Sequence, residues 1–89
     1  MREAFVCINA SPDSIDQVFT ELEAYKEVKE VFRVYGVYDI IARVSGESFE
    51  NLSNFINTHI KRLSEVQTIL SILMIKPDEF TRKNELLTV

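Results

Sequence analysis

Glu30–Ser45 reads EVFRVYGVYDIIARVS, and this stretch decides the fold. Its first part, Glu30–Tyr35, is dense in valine and aromatic residues, which favour β-structure. Gly36–Asp39 follows as a short break in which the glycine is free to adopt positive φ, and Ile40–Ser45 is again apolar. Two such segments joined by so short a connection predict an antiparallel β-hairpin with a tight turn.

A strand and a helix are predicted before the hairpin. Glu3–Asn9 is rich in apolar, β-favouring residues and predicts the first strand. Ser11 is the predicted cap of the first helix, and Pro12 suits its first position. The apolar residues Ile15, Val18, Phe19 and Leu22 then recur on one helical face. The helix is expected to end near Tyr25.

A second helix and a fourth strand are predicted after the hairpin. Ser48 is the predicted cap of this helix, whose apolar face comprises Leu52, Phe55, Ile56, Ile60 and Leu63. Val66–Lys76 predicts the fourth strand, and Pro77 ends it because proline has no N–H to donate. The C-terminal tail, Pro77–Val89, has no regular periodicity, and we expect it to be loose or to dock on a neighbouring subunit.

The order βαββαβ predicts a ferredoxin-like α+β fold, a four-stranded antiparallel sheet with two helices on one face. The two halves also resemble each other at a constant offset of 38 residues. Val6, Val18, Leu22 and Val28 correspond to Val44, Ile56, Ile60 and Val66. Residues 1–76 are therefore predicted to form one domain, as expected for a chain of 89 residues.

Both sides of the fourth strand are apolar, although two helices can cover only one face of the sheet. By alternation, one side carries Val66, Leu70, Ile72 and Met74, and the other carries Ile69, Leu73 and Ile75. We expect the second set to occupy the open face. Soluble monomers rarely expose such a patch, so the sequence predicts dimerisation through the sheet. The alternative is that the tail from Pro77 folds back over this face.

The composition excludes several classes of protein. Ten basic residues against fourteen acidic ones give a net charge of −4, whereas nucleic-acid binding needs concentrated positive charge. No apolar run approaches the roughly 20 residues that span a bilayer. There is a single cysteine, Cys7, and no N-terminal signal sequence. We therefore expect a cytoplasmic protein that contacts neither nucleic acid nor membrane directly.

Residue types that carry catalysis or bind metals are sparse and isolated. His59 is the only histidine, and no cysteine or carboxylate stands at metal-ligand spacing around it. Cys7 has no neighbouring histidine that would activate it. Gly36 and Gly46 are too far apart to form a phosphate-binding loop. We expect no enzymatic activity, no catalytic residue, no metal and no cofactor.

The hairpin resembles one known family. The turn sequence Tyr35-Gly36-Val37-Tyr38-Asp39, with Glu27-Val28 before the second strand and Glu65-Val66 before the fourth, is similar to the effector-binding half of the Lrp/AsnC regulators. This half is also called the RAM domain, and the resemblance covers residues 3–76. It implies a ferredoxin-like fold and dimers that pair through their sheets and assemble into rings such as octamers. It also implies amino-acid effectors bound near the β2–β3 turn and the last strand.

Full-length members of this family carry an N-terminal helix-turn-helix that binds DNA. This chain begins at its first predicted strand and so resembles a stand-alone version. A full-length Lrp/AsnC-type regulator is its expected partner besides further copies of itself.

The resemblance places ligand-binding roles on Tyr35, Gly36, Val37, Tyr38, Asp39, Ile69 and Ser71. Asp39 is expected to pair with the ammonium of an amino acid, and N–H groups around Gly36 and Val37 to receive its carboxylate. Tyr35 and Tyr38 are expected to wall the side-chain pocket. In the alternative interpretation, Asp39 only stabilises the turn through a local side-chain bond, and the tyrosines only form an interface.

The last strand departs from the family pattern. Members often have Thr-x-Thr there, and those positions fall on Ile69 and Ser71. Ser71 keeps a hydroxyl, whereas Ile69 does not, and Thr68 is expected to point to the opposite face. The pocket is then more apolar than usual, takes a different effector, or is empty.

The leading interpretation is a stand-alone, amino-acid-sensing regulator that acts through oligomer contacts. The second is a purely structural oligomerisation partner of DNA-binding relatives that binds no ligand. The third is a small dimeric α+β-barrel enzyme, which the apolar strand faces disfavour because they offer no polar side chains for catalysis.

Overall fold

Alternating strands and helices make up residues 1–75, the part of the chain that the computed structural model describes. In chain order they are β1 (Arg2–Ala10), a 3₁₀ turn (Pro12–Ser14), α1 (Ile15–Glu23), β2 (Val28–Arg33), β3 (Ile40–Gly46), α2 (Phe49–Phe55) with a π-helical turn (Ile56–Ile60), and β4 (Val66–Met74). The predicted βαββαβ order and the ferredoxin-like fold are confirmed. Lys76 and the predicted tail, Pro77–Val89, lie outside the described residues.

The sheet has the strand order β2-β3-β1-β4, and all neighbouring pairs are antiparallel. β1 is central, so that Ile8 pairs with Ile40 on one side and Ile69 on the other. The predicted hairpin of β2 and β3 is confirmed. Its first strand begins and ends two residues earlier than predicted, because pairing with β3 stops at Arg33 and Tyr35 lies in the connection.

The two helix starts differ in how they are capped. The Ser48 side chain accepts a hydrogen bond from the Asn51 backbone N–H at 3.0 Å, as predicted for a cap. The same prediction for Ser11 is wrong, because its side chain receives no helix N–H. The first turn is a 3₁₀ turn, and the Ser11 carbonyl closes it by accepting from the Ser14 N–H at 2.8 Å. No helix among residues 1–75 is long and apolar enough to cross a membrane.

The core lies between one face of the sheet and the two helices. Alternate residues of β1 and β3 fill it from the sheet side: Ala4, Val6, Ile8, Ala10, Ile40, Ala42 and Val44. Val18, Leu22, Leu52, Phe55, Ile56 and Ile60 fill it from the helices. Period-two burial in the strands and one-sided burial in the helices match the predicted apolar faces.

The two sides of β4 are the reverse of the prediction. Ile69 pairs with the buried Ile8, and Leu73 pairs with the buried Ala4, so both lie on the helix side. A β-bulge beside Ala10 causes the reversal, because Val66 packs on the core before the bulge and the alternation shifts by one residue after it. Ile75, also assigned to the open face, lies just beyond the strand.

The open face, which no helix covers, therefore carries the other apolar residues. They are Phe5, Cys7, Phe32, Ile41, Leu70, Ile72 and Met74. At one end of this face the Arg43 guanidinium bonds two carboxylates, through Nε to Glu30 Oε1 and through Nη1 to Glu3 Oε2, each at 2.6 Å. A large apolar surface with one ionic cluster is typical of an interface rather than of a solvated sheet.

Candidate functional site

The connection between β2 and β3 is a six-residue loop, Val34–Asp39, longer than the tight turn predicted. The Val34 N–H donates to the Asp39 carbonyl at 3.0 Å and closes it. Gly36 has a φ of +147°, which confirms the predicted positive φ. The side chains of Tyr35 and Val37 project from the loop, and Val37 is 83% exposed. These two side chains are therefore accessible to a ligand or to another subunit.

Asp39 anchors this loop to the end of β1. Its N–H donates to the Ile8 carbonyl at 2.9 Å. Its Oδ2 accepts from the Ala10 N–H at 3.1 Å and from Asn9 Nδ2 at 3.3 Å. The side chain thus stabilises the loop, although through a neighbouring strand and not through the local bond considered from sequence. Oδ1 of Asp39 has no hydrogen bond to any residue in 1–75, which leaves one carboxylate oxygen for a ligand.

The loop also presents backbone donors. Within the part of the chain that the structure describes, the N–H groups of Gly36 and Val37 donate to no acceptor. Successive N–H groups in a loop are suited to receiving a carboxylate. The loop therefore offers one anionic acceptor and two donors, the complement of a zwitterionic amino acid.

Asn9 belongs to this site and was missed by sequence reasoning. Its Nδ2 donates to the Val37 carbonyl at 2.8 Å in addition to Asp39, and its Oδ1 accepts from Thr68 Oγ1 at 2.5 Å. These partners are 28 to 59 residues away in the chain. No local pattern identifies an asparagine at the end of a strand as a loop ligand, so only the strand register shows it.

Ile69 and Ser71 are not brought to the loop within one subunit. Both lie on β4, which is separated from β3 by β1, so they are about 10 Å from β3 and farther from β2, the two strands that the loop joins. Ile69 packs against the core. Ser71 is exposed on a shallow groove of about 280 Å³, beside Lys61 and Leu73. As expected, Thr68 lies on the opposite face from Ser71, and it is Thr68 whose hydroxyl reaches the loop, through Asn9.

A larger cleft, of about 460 Å³, lies at another place in the fold. Lys26 before β2 and Lys29 within it line this cleft together with Glu27, Glu47 and residues of α2. Both lysine and glutamate side chains line this cleft, so its charge favours neither an anionic nor a cationic ligand. None of the seven predicted ligand-binding residues lines it.

Cys7 and His59 were considered above for catalysis and metal binding, and both are accounted for by packing. Cys7 is buried and free. His59 is exposed on the π-helical turn and stacks on Phe55, with ring centroids 5.1 Å apart. Among residues 1–75 no group of three His, Cys, Asp or Glu side chains is placed to hold a metal ion.

Gly36 is expected to be the position of the loop least tolerant of substitution. Its positive φ is one that β-branched residues do not adopt, and a Cβ there would meet nothing within 4 Å, so the cost is conformational. Gly36→Val should lower the free energy of unfolding by about 1–3 kcal/mol, measured by urea denaturation at fixed protein concentration. Val37→Ala should change it by less than about 0.5 kcal/mol. Equal losses in the two variants would contradict this.

Comparison with known proteins finds one matching family model and several similar solved structures. The family model described as "Lrp/AsnC ligand binding domain" matches residues 3–80. No curated protein matches. The chain is similar to the solved structure of FFRP-DM1, with 32% identity and a TM-score of 0.82 over 84% of this chain and 100% of the other. It is also similar to the hypothetical protein PHS023 from Pyrococcus horikoshii, with 29% identity and a TM-score of 0.81 over 93% and 100% of the two chains.

A third solved structure is longer. The transcriptional regulator NMB0573 from Neisseria meningitidis, solved in complex with L-Met, is 17% identical with a TM-score of 0.77. The match covers 97% of this chain and 58% of the regulator. At that identity the likeness shows the fold alone.

Proposed function

The chain belongs to the Lrp/AsnC ligand-binding domain family, and from this premise we propose that it senses an amino acid and signals through contacts between subunits. Domains of this family are ligand-binding parts of transcriptional regulators and not enzymes, and family members bind amino-acid effectors and form oligomers. The observation that carries the proposal is that the β2–β3 loop holds Asp39 Oδ1 and two backbone N–H groups, none of which has a hydrogen-bond partner in residues 1–75.

An amino acid fits this loop by charge. Its ammonium donates to Asp39 Oδ1, and its carboxylate accepts from the N–H groups of Gly36 and Val37. Tyr35, fully exposed in one subunit, and the half-buried Tyr38 flank the side chain of the ligand. L-Met in the Neisseria meningitidis regulator is a ligand of this class.

A second subunit completes the site in this proposal. Ile69 and Ser71 lie two strands from the loop of their own subunit, so a ligand that touches the loop and Ser71 together must take one of them from a neighbour. Dimers form through the open face, and dimers join into rings such as octamers at the loop. A full-length Lrp/AsnC-type regulator is the further partner, because it would offer the same contacts and supply DNA binding.

The test is a thermal-shift measurement with each of the twenty L-amino acids. A ligand at about a hundred times its Kd adds roughly 2.7 kcal/mol of stability per site, which for a domain of this size raises Tm by roughly 10–20 °C. Asp39→Asn should abolish the rise, because it removes the charge that binds the ammonium yet keeps an oxygen for the Ala10 N–H. Glu50→Gln, at an exposed carboxylate after the end of β3 opposite the loop, should keep it.

A structural oligomer without ligand is the second candidate, and Ile69 favours it because no hydroxyl stands there. If none of the twenty amino acids raises Tm, this candidate replaces the first. If Asp39→Asn keeps the full rise, the ligand binds at another place and the loop assignment is wrong.

A further inference from the structure

We infer that Asn9 is a positioning residue of the amino-acid site and that Thr68 holds it in place from β4. The inference rests on the function proposed above and adds two residues to it, neither of which touches the ligand. Asn9 bonds the loop at two points, Val37 and Asp39, and it is the side chain through which β4 reaches the loop.

The Asp39 carboxylate is held in one orientation by two donors. Oδ2 is held by the Ala10 N–H on one side and by Asn9 Nδ2 on the other, at 3.1 and 3.3 Å. Two donors on one oxygen fix the rotation of the carboxylate. Oδ1 is thereby left in a single orientation for an incoming ammonium, so less freedom is lost when the ligand binds.

The partners of the Asn9 amide determine its orientation. The Val37 carbonyl and the Asp39 carboxylate are acceptors only, so they require the NH₂ end of Asn9 to face the loop. The Oδ1 end then faces β4, where the Thr68 hydroxyl donates to it at 2.5 Å. Without that hydroxyl, Oδ1 has no donor in residues 1–75, and the amide is held from one side only.

Within one subunit, the β4 hydroxyl that reaches the proposed site is therefore that of Thr68 and not that of Ser71. Thr68 pairs with Asn9 across the strands, whereas Ser71 pairs with Val6 and lies on the helix side. Within one subunit the path from β4 to the ligand runs from Thr68 through Asn9 to Asp39.

Calorimetric titration with the L-amino acids that raise the wild-type Tm tests this. Asn9→Ala should raise Kd about tenfold, since it removes hydrogen bonds to a charged group. Thr68→Val, of nearly the same shape, should raise Kd by about threefold to tenfold, and Thr68→Ser should restore it to within about twofold of wild type. Thr20→Val is the matched control, the same substitution at an exposed threonine of α1 whose hydroxyl donates to the Asp16 carbonyl, and it should leave Kd at the wild-type value.

The free energy of unfolding without ligand is measured in parallel. A merely structural role would lower that stability in Thr68→Val while Kd stayed at the wild-type value, and this result overturns the inference. So does an equal Kd for Thr68→Val and Thr68→Ser, which remains decisive if Asn9→Ala does not fold. If Asp39→Asn abolishes binding and both Asn9→Ala and Thr68→Val bind like wild type, the inference fails and the proposed function stands. If wild type binds no amino acid, both fail.

Discussion

Ile72→Glu is expected to leave the protein monomeric, whereas Leu73→Glu is expected to leave its dimer intact. The two residues are neighbours on β4 and are equally exposed in one subunit, at 47% and 43%. They differ only in side, because Ile72 pairs with Phe5 on the open face and Leu73 with Ala4 on the helix side. Burying an unpaired carboxylate between two apolar sheets costs several kcal/mol, enough to separate the subunits.

Light scattering after size-exclusion chromatography at micromolar concentration measures this. A wild-type mass equal to one chain would contradict dimerisation through the sheet. If Leu73→Glu dissociates the protein and Ile72→Glu does not, the dimer interface lies on the helix side of β4. The residues predicted from sequence to form the interface, which include Leu73, would then be the right ones.

Arg43→Met is expected to weaken dimerisation roughly tenfold to a hundredfold, because it would leave the carboxylates of Glu3 and Glu30 in the interface without a cation. In one subunit Arg43 bonds Glu30 and Glu3 on the open face. The hydrogen bond that Arg43 Nε donates to the Glu30 carboxylate is the main cause that raises the pKa of Arg43 above its usual value, so the guanidinium stays charged at every pH at which the protein is handled.

The matched control removes the whole cluster. Arg43→Met combined with Glu3→Gln and Glu30→Gln should recover most of the association, since replacing all members of an ionic cluster leaves no uncompensated charge. Analytical ultracentrifugation gives the dimer dissociation constants. A single Arg43→Met variant that dimerises like wild type would place this cluster outside the interface.

Local patterns predicted most of the fold. The strand pairing around Gly36 and the Ser48 cap depend on residues close in sequence, and both were found as expected. The sides of β4 were not, because a bulge beside Ala10 shifts the alternation by one residue and leaves no mark in the composition of Val66–Met74.

The candidate site was predictable only in part, for a similar reason. The loop carries its own signature, and Asp39 was identified from it. Its partners at Asn9, Ala10 and Thr68 come from two other strands, so the structural role of Asp39 depends on strand register. This register also makes Asp39→Asn a sharper test than Asp39→Ala, which would leave the Ala10 N–H unpaired.

The central claim is that the β2–β3 loop binds an amino acid, and a residue-resolved NMR titration tests it most directly. The wild-type protein, labelled with ¹⁵N, is titrated with the amino acid that gives the largest rise in Tm. The account predicts that the largest amide shifts fall within residues 35–39 and at Asn9 and Ala10. Shifts centred instead on the cleft between Lys26 and Ser45, or no shift with any of the twenty amino acids, would contradict it.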